Sequence, residues 1–529
     1  MFARWITALA VSAAAFAANP TQPSISSAGV VNAASSLAPG FSNSGIAQGS
    51  IFVIYGSYLG PDTLTQAGSF PLPTSAGLAG TLLHLNAGAY NADIPIIYTS
   101  ASQVAALMPS TAPLGNVTLT LTYRTLTSNP VVINVVRSSF GIFTLNQGGT
   151  GQAIVQNYVN PTLQPVNTIL APASPGGVGI LWGTGLGPVA SGDEAAGPIP
   201  GSLASYLDAL YVGGQKVNVR YAGRTSCCAG VDQINFDIPA GIQGCYVPIS
   251  AVVNGLVSNV ATIAIGSGST CSDPLSFNSS DLTTLSQTGA LSVGTINYWN
   301  NVSAGAEQAS ATFLRYATSG LTAAPAPLHA TAGSCYETQS PVGLSVQTPA
   351  YGTGLNAGFA VSLNGPPGRV DMTNNTTVVG SYSATVQPPL TFPGAYSVTS
   401  IGGADIGVLS GSFTAGAPLA WTNSGAYNGA SIPVGQTLPF TWTPGDANTY
   451  VQIGVLTSSA TLSTSIVCDL PSTLGSFTIP DYLVRTILPG SATISFGSFT
   501  VQHGFSGDKL GTGIVTAGTN TSVTASFRN

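Results

Sequence analysis

A glycine turn that follows an apolar strand pattern occurs twice in the chain. Residues 54–61 read IYGSYLGP and residues 181–188 read LWGTGLGP. The turn recurs at an offset of 127 residues. Two further segment pairs recur in the same order at an offset of 130: 102–109 (SQVAALMP) with 232–239 (DQINFDIP), and Ser128-Asn129 with Ser258-Asn259. Repetition at a fixed period is the signature of a duplicated structural unit. We therefore interpret residues 24–137 and 138–271 as two copies of one module.

The patterns inside these modules are those of β-strands. Residues 117–122 alternate apolar and hydroxyl side chains, as expected for a half-buried antiparallel strand. The 64 Gly and 36 Pro residues favour turns and disfavour helices. The sequence therefore predicts an all-β fold.

The repeat ends at a Ser/Gly-rich run over residues 266–273. Residues 282–417 hold further strand patterns and are predicted to form a β-rich domain. Residues 418–529 are predicted to form a C-terminal β-sandwich, because apolar side chains alternate there at Leu438, Phe440 and Trp442. Whether these two regions form one domain or two stays open at this point.

The low charge of the chain argues against binding to nucleic acid or to anionic membranes. Only 5% of the residues are charged, and the formal net charge is −6. A chain without a basic patch is a poor partner for nucleic acid, and it has no polybasic cluster that would hold an anionic membrane. A surface solvated by hydroxyl and amide groups suits an extracellular β-protein.

The first 17 residues have the pattern of a secretory signal peptide. Arg4 supplies the positive charge, residues 6–16 form a short apolar segment, and Ala15-Phe16-Ala17 is a small-residue cleavage site. Beyond it, the sequence shows no uninterrupted apolar stretch of about 18 residues, so no transmembrane span is predicted. We expect a secreted or cell-surface protein.

The six cysteines are predicted to form disulfides, since an even number behind a signal peptide is typical of exported proteins. Zinc is disfavoured because two of the cysteines are adjacent and no histidine lies near them. We expect local links among Cys227, Cys228, Cys245 and Cys271, and a second, longer-range link between Cys335 and Cys468. Cys227 and Cys228 belong to an insertion that the first module lacks.

The repeated segments resemble a known family. They are similar to IPT/TIG-type immunoglobulin-like repeats and, over residues 24–273, to the uncharacterised Solibacter-type domain of secreted acidobacterial proteins. The residues that carry the resemblance are 31–35 (VNAAS), 49–51 (GSI), 55–57 (YGS), 140–143 (FGIF), 182–187 (WGTGLG) and 232–236 (DQINF). The resemblance implies tandem immunoglobulin-like β-sandwiches followed by one or two further β-sandwich domains. It brings no catalytic residues.

The two copies differ at one strand in a way that bears on their surfaces. The first module has AALM at residues 105–108, where the second has NFDI at residues 235–238. We therefore expect the two copies to bury different surfaces.

The sequence offers no catalytic, cofactor-binding or metal-binding constellation. A serine hydrolase needs a nucleophile beside a histidine and a carboxylate, but the three histidines, His84, His329 and His503, are far apart and no G-x-S-x-G elbow occurs. Asp193-Glu194 is expected at a solvated loop tip, or at best a calcium corner. A calcium site at the Asp232 and Asp237 carboxylates is a less favoured hypothesis than no metal binding there.

Aromatic residues give the remaining signal. Tyr298-Trp299 stands beside two asparagines and could stack on a sugar ring, although packing in the core is the favoured alternative. Trp182 and Trp442 lie in strand patterns and are predicted to be core residues.

These observations favour a non-catalytic, exported modular protein that acts in extracellular binding, adhesion or matrix structure. Its partner would be an extracellular protein or a polysaccharide. Two alternatives remain: a secreted polysaccharide-active hydrolase with its chemistry in residues 282–529, and an array of carbohydrate-binding modules that exposes Tyr298 and Trp299. Fold alone does not name the partner.

Overall fold

The computed structural model describes residues 21–190, 194–303, 306–322, 329–342, 352–366, 368–386 and 393–529. The predicted signal peptide at residues 1–17 lies outside these ranges. The described chain is all-β, as predicted, with extended sheets and only short helices. No helix in the described ranges is both long and apolar enough to cross a membrane.

The first module is a sandwich of two antiparallel-rich sheets. One sheet has the order β1-β3-β8-β7-β4 and the other has the order β2-β11-β9-β5-β6, with β10 beside β9. Apolar side chains such as Phe52, Leu83 and Leu119 fill the space between them. The strands are β1 (Ser24–Asn32), β2 (Ile46–Ala47), β3 (Ile51–Ser57), β4 (Thr65–Gln66), β5 (Thr81–Ala87), β6 (Tyr90–Asp93), β7 (Ile96–Thr99), β8 (Gln103–Leu107), β9 (Gly115–Tyr123), β10 (Leu126–Thr127) and β11 (Val131–Val136).

The second module is a sandwich of the same kind. One sheet has the order β12-β14-β19-β18-β15, with β13 beside β14, and the other has the order β17-β16-β20-β21, with β22 beside β20. The strands are β12 (Gly141–Ile142), β13 (Val155–Tyr158), β14 (Val178–Thr184), β15 (Gly201–Ser202), β16 (Leu207–Val212), β17 (Gln215–Lys216), β18 (Val219–Arg224), β19 (Asp232–Asp237), β20 (Gly244–Val253), β21 (Leu256–Val257) and β22 (Ala261–Ile265).

Strand pairing supports the duplication that the sequence predicts. In the first module, Tyr55 on β3 pairs with Gln103 on β8. In the second, Trp182 on β14 pairs with Gln233 on β19. These are the positions that the repeat aligns, so the two copies share the same register at their central strand pair.

The C-terminal half is built on one continuous sheet. Its order is β25-β35-β34-β37-β39-β23-β24-β29-β28-β27-β30-β31-β38, with β26 beside β24, β32 beside β39, and a separate β33-β36 pair. The strands are β23 (Ala290–Asn301), β24 (Ala306–Ala317), β25 (Ser334–Pro341), β26 (Thr353–Gly354), β27 (Ala360–Gly365), β28 (Gly368–Asn374), β29 (Ser381–Thr385), β30 (Gly394–Thr399), β31 (Leu409–Ala415), β32 (Ser431–Pro433), β33 (Leu438–Thr441), β34 (Thr449–Ser458), β35 (Leu462–Pro471), β36 (Ser476–Ile479), β37 (Gly490–His503), β38 (Phe505–Gly507) and β39 (Thr512–Arg528).

This sheet crosses the boundary that we placed at residues 417 and 418. The long strand β39 pairs with β23 on one side and with β37 on the other. Strand β25, from the earlier region, pairs with β35 of the later one. The sheet nevertheless packs two separate apolar cores, one around Phe313 and Tyr396 and one around Phe440 and Trp442. The two predicted regions thus share a sheet and keep distinct cores.

Local sequence explains several connections. Helix α1 (Ser279–Thr288), which the sequence did not predict, begins with a capping box between Asn278 and Asp281 and ends at Gly289, whose φ is 73°. Two further short helices are α2 (Thr318–Thr322) and α3 (Asp481–Val484). The segment after Trp442 leads from β33 to β34, which lies in a different sheet, so the two strands do not form a hairpin.

A buried ion cluster lies in the second module, next to Gly49 of the first module. Arg224 on β18 is fully buried and forms ion pairs with Asp232 (Nε–Oδ1, 2.7 Å) and with Glu194. Burial raises the pKa of the Asp232 carboxyl, and the Arg224 guanidinium and the Leu186 N–H oppose that rise. Glu194 also accepts a hydrogen bond from the N–H of Gly230, in the cysteine loop.

This cluster corrects one expectation. Glu194 does not lie at a solvated loop tip, because its carboxylate is buried against a buried guanidinium; Asp193 lies outside the described residues. The oxygens of Asp232, the less favoured calcium candidate, accept hydrogen bonds from the same guanidinium and from the Leu186 N–H. In the described part of the chain, no group of three or more His, Cys, Asp or Glu residues is placed to hold a metal ion.

Candidate functional site

The outer face of the second module carries a row of polar and aromatic side chains. Successive residues of a strand point to opposite faces. On β19, Ile234 and Phe236 enter the core, and Gln233, Asn235 and Asp237 face outward. On the neighbouring strand β14, Leu181 enters the core and Trp182 faces outward, half-buried.

These outward side chains line an open cleft of about 550 Å³. That volume lies within the range of about 300–1,000 Å³ that small-molecule sites occupy. The cleft lies across strands β13, β14, β19 and β18, and its lining residues are Tyr158, Gln164, Val178, Ile180, Trp182, Arg220, Gln233 and Asn235. We call this surface the module 2 cleft.

Hydrogen bonds fix the side chains of the module 2 cleft. The indole Nε1–H of Trp182 donates to the Gln156 side-chain oxygen at 2.9 Å. The Gln233 amide donates to Asn235 Oδ1 at 2.7 Å. The Gln156 amide in turn donates to the backbone carbonyl of Gln164 at 3.2 Å. The aromatic ring and the amides are therefore held in place before any ligand arrives.

The charges at the edge of the module 2 cleft cancel. Arg220 forms an ion pair with Asp237, and the Asn218 amide also donates to this carboxylate at 2.8 Å. These hydrogen bonds, first that of Asn218 and then that of Arg220, hold the pKa of Asp237 below its usual value. The Arg220 guanidinium is thus already partnered and adds no net positive charge to the cleft.

A second cleft of about 360 Å³ lies beside the first. The two share Tyr158 and Val178 as lining residues. The second cleft is less polar, and its walls include Pro165, Leu170 and Pro172. The two clefts meet at Tyr158, whose side chain is 41% exposed, and we call the pair of clefts the groove.

The same face of the first module differs: it holds an apolar cleft of about 390 Å³ between its own residues and the cysteine loop of the second module. The residue aligned with Asn235 is Ala105, which is buried under a small apolar cluster with Val53 and Val31. The residue aligned with Asp237 is Leu107, which packs against Leu72 and against Ala229 of the second module's cysteine loop. The expectation that the two copies bury different surfaces is confirmed, and the amide-lined cleft belongs to the second copy.

The glycan platform considered at Tyr298 and Trp299 does not form, and the favoured alternative of core packing is confirmed for Tyr298. Tyr298 is 0% exposed and packs near Tyr396 in a core, because its position on β23 faces the interior. Trp299 is half-buried and packs on Phe499, with ring centroids 5.8 Å apart. The two residues therefore cannot present a joint flat surface.

The expectation that Trp182 is a core residue is also wrong, whereas Trp442, at 3% exposure, is buried as predicted. The alternation of inward and outward side chains on β14 and β19 is the sequence signal that indicates an outward-facing Trp182. Leu181 is apolar and inward-facing, so the next residue had to face outward.

The six cysteines form disulfides in the structure. Cys245 pairs with Cys271, and Cys335 pairs with Cys468, as predicted. Cys227 pairs with its neighbour Cys228, so the insertion closes on itself and is not linked to the 245–271 pair. No free cysteine occurs in the described residues.

The histidines are dispersed. The His84 ring bonds Asp93 on the outside of the first module. His329 is buried and stacked on Phe499, with its Nδ1 3.4 Å from Asp469. His503 contacts Thr512 at 3.1 Å. The structure does not bring any two of them together.

Comparisons with known proteins add little. No protein-family model and no curated protein matches the chain. Among solved structures, the chain is similar to a tetra-tandem repeat from the extending region of a large adhesion protein, with 12% identity, 95% of this chain and 99% of that chain covered, and a TM-score of 0.13. It is also similar to the Bacteroides ovatus protein SGBP-B from a mixed-linkage glucan utilization locus, solved with a heptasaccharide, with 11% identity, 92% and 96% covered, and a TM-score of 0.15. Likenesses with such TM-scores carry no argument about this chain.

Proposed function

We propose that this protein is an exported, non-catalytic binding protein whose ligand docks on the outer face of the second module. The observation that carries the proposal is the open module 2 cleft, in which Trp182 lies beside a row of amides, whereas the aligned face of the duplicate module is apolar. A concave site with an aromatic ring and a few oriented polar groups is the usual form of a ligand site. The three disulfides fit an oxidising, extracellular compartment.

Rigid attachment of the second module to its neighbours supports a binding or adhesion role. On one side, the Ile51 N–H of the first module donates to the Thr184 hydroxyl at 2.9 Å. On the other side, Tyr211 stacks on Tyr482 with centroids 4.0 Å apart, and the Gly151 N–H donates to the Tyr336 hydroxyl at 3.1 Å. The cleft is therefore held in a fixed orientation along the chain.

A hydrolase in residues 282–529 is less well supported. Glycosidases need two carboxylates facing each other across a cleft. Among the described acidic residues there, Glu337 and Asp469 are buried, Asp371 pairs with Arg369, and Asp446 accepts bonds within its own turn. We therefore propose binding as the function. We also propose, from the sequence resemblance, that residues 24–273 belong to the Solibacter-type family of IPT/TIG-like domains.

The test is binding of the full chain to a panel of extracellular polysaccharides and proteins, with the substitution Trp182→Ala. Tyr55→Ala is the matched control, because Tyr55 occupies the aligned position on the first module, outside the module 2 cleft, and is 41% exposed. The proposal predicts that a bound panel member is lost with Trp182→Ala and kept with Tyr55→Ala. Equal loss in both variants, or binding that neither variant changes, would reject this face as the site.

A further inference from the structure

The module 2 cleft has the chemistry of a site for uncharged sugars. Its lining amides, Gln164, Gln233 and Asn235, each carry both donors and an acceptor. Sugar hydroxyls also donate and accept, so amides can satisfy them in either direction. The indole ring of Trp182 supplies an apolar face of the kind that packs against the C–H surface of a pyranose ring.

Charge at the site discriminates between classes of polymer. Arg220 is the cationic residue in the lining, and its guanidinium is held by Asp237. A carboxylated or sulfated polymer would have to compete with that carboxylate for the guanidinium and would meet its negative charge. An uncharged polymer leaves the ion pair intact and can still accept a hydrogen bond from the donors that Asp237 does not use.

The length of the groove points to a chain rather than a single sugar. The second cleft continues from the first across Tyr158 and Val178, and its walls of Pro165, Leu170 and Pro172 offer apolar contact with few polar partners. A monosaccharide would fill only the amide-lined part. An internal stretch of a linear polymer can occupy both parts, with one unit against Trp182 and further units beyond Tyr158.

We propose that the groove formed by the two clefts binds an uncharged linear polysaccharide, with Trp182 as the stacking platform and Tyr158 as the divider between two sugar subsites. This inference rests on the proposed function, since it names the ligand of the same face. A peptide, with its backbone amides, and an anionic polymer are the competing occupants that the experiment must separate.

The experiment measures binding of the full chain by isothermal titration calorimetry to gluco-, xylo- and manno-oligosaccharides of two to eight units. Charged probes are oligogalacturonate and heparin fragments, and an extended uncharged peptide library is the third class. We expect affinity for at least one neutral series to rise with length and then level off, and to be unchanged between low and high salt. Binding of an anionic polymer would instead fall with salt, because the attraction between exposed charges is screened.

Two substitutions locate the subsites. Trp182→Ala should weaken binding of every length about tenfold or more, which corresponds to about 1.4 kcal/mol. Tyr158→Ala should reduce the gain from the longer oligosaccharides and leave the shortest nearly unchanged. Trp182→Phe keeps a ring and should retain most of the affinity, which guards against a folding defect in the alanine variant. Tyr55→Ala is again the control that should change nothing.

The outcomes separate this inference from the proposed function. Binding of only an anionic polymer or a peptide, lost with Trp182→Ala, would overturn the inference and leave the face as a binding site. Neutral-glycan binding that Trp182→Ala does not alter would overturn the inference as well as the proposed location. Affinity that does not grow with oligosaccharide length would reject the two-subsite groove, as would failure of every neutral series to bind.

Discussion

Replacing Glu337 with glutamine is predicted to remove a strong pH dependence of stability. Glu337 lies on β25, in the sheet that also holds the Cys335–Cys468 disulfide, and its side chain is 2% exposed. Burial raises the pKa of this carboxyl from 4.5 to about 8, and a hydrogen bond with Thr486 only partly opposes the rise. Its Oε1 atom has no hydrogen-bond partner among the described residues. The folded protein therefore holds this group in its neutral form at pH 7.

The direction of the effect follows from proton binding. Between pH 4.5 and about 8, the unfolded chain has lost this proton and the folded chain still carries it. The free energy of unfolding must then fall as the pH rises, by about 1.4 kcal/mol for each pH unit. The stabilisation is complete below the unfolded pKa and is lost as the pH rises through the folded pKa. The full loss is about 5 kcal/mol, on the order of a typical domain's whole stability.

The assay is urea unfolding followed by tryptophan fluorescence, since Trp421 and Trp442 report on the core packed by the same sheet. Glutamine does not titrate. The difference in the free energy of unfolding, Glu337→Gln minus parent, should therefore increase by about 3 kcal/mol from pH 5.5 to pH 8. Taking the difference between variant and parent cancels the titration of other groups. Asp371→Asn is the control, because the lowered pKa of Asp371 leaves it ionised throughout this range. Parallel pH curves for Glu337→Gln and the parent would refute the reasoning.

Three further predictions concern the core and the junctions. Arg224→Met should destabilise the second module by about 3–5 kcal/mol in thermal unfolding, because it leaves two carboxylates buried without their cation; an unchanged melting temperature would contradict the buried cluster. Replacing Cys335 and Cys468 together by alanine should lower the free energy of unfolding by about 4–5 kcal/mol, since their disulfide closes a loop with a sequence separation of 133. A loss no larger than that of a single surface substitution would argue against this stabilisation. Trp442→Ala should lower the free energy of urea unfolding by about 3–5 kcal/mol, as expected for a buried aromatic residue. Trp182→Ala, at a half-buried site, should lower it by about 1 kcal/mol. Equal costs for the two tryptophans would place Trp182 in the core after all.

Two of these variants have internal controls. Neutralising Glu194 and Asp232 in the Arg224→Met background should recover most of the lost stability, because the penalty arises from unpaired charge rather than from the missing side chain. The cysteine variant should be compared with the parent protein under reducing conditions, which opens the same link.

Much of the candidate site was within reach of the sequence. The alternation on β14 and β19 places Trp182, Gln233 and Asn235 on one face, and the repeat aligns them with Tyr55, Gln103 and Ala105. The prediction of a buried Trp182 is wrong because lying in a strand does not decide which face of that strand a side chain occupies. For Tyr298, the favoured alternative of packing in the core is confirmed, because its side chain faces the interior from β23.

Other features could not be read from the chain. The ion pair between Arg224 and Glu194 joins residues 30 positions apart, and neither one's neighbours in sequence reveal that it is buried. The parallel pairing of β23 with β39 joins residues more than 200 positions apart, so a boundary drawn from local composition could not detect the shared sheet. Such contacts depend on how sheets meet in space and not on local propensity.

By itself, the sequence determined the all-β fold and, through its repeated anchors, the duplication and register of the first two modules. It did so because strand periodicity and glycine turns are local properties of the backbone. Only the tertiary structure decided which copy carries the amide-lined cleft. The cysteine loop of the second module packs on the first and helps to cover Leu107, whereas the aligned Asp237 stays at the surface paired with Arg220. The cleft exists because two copies of one sandwich, once packed together, have different neighbours.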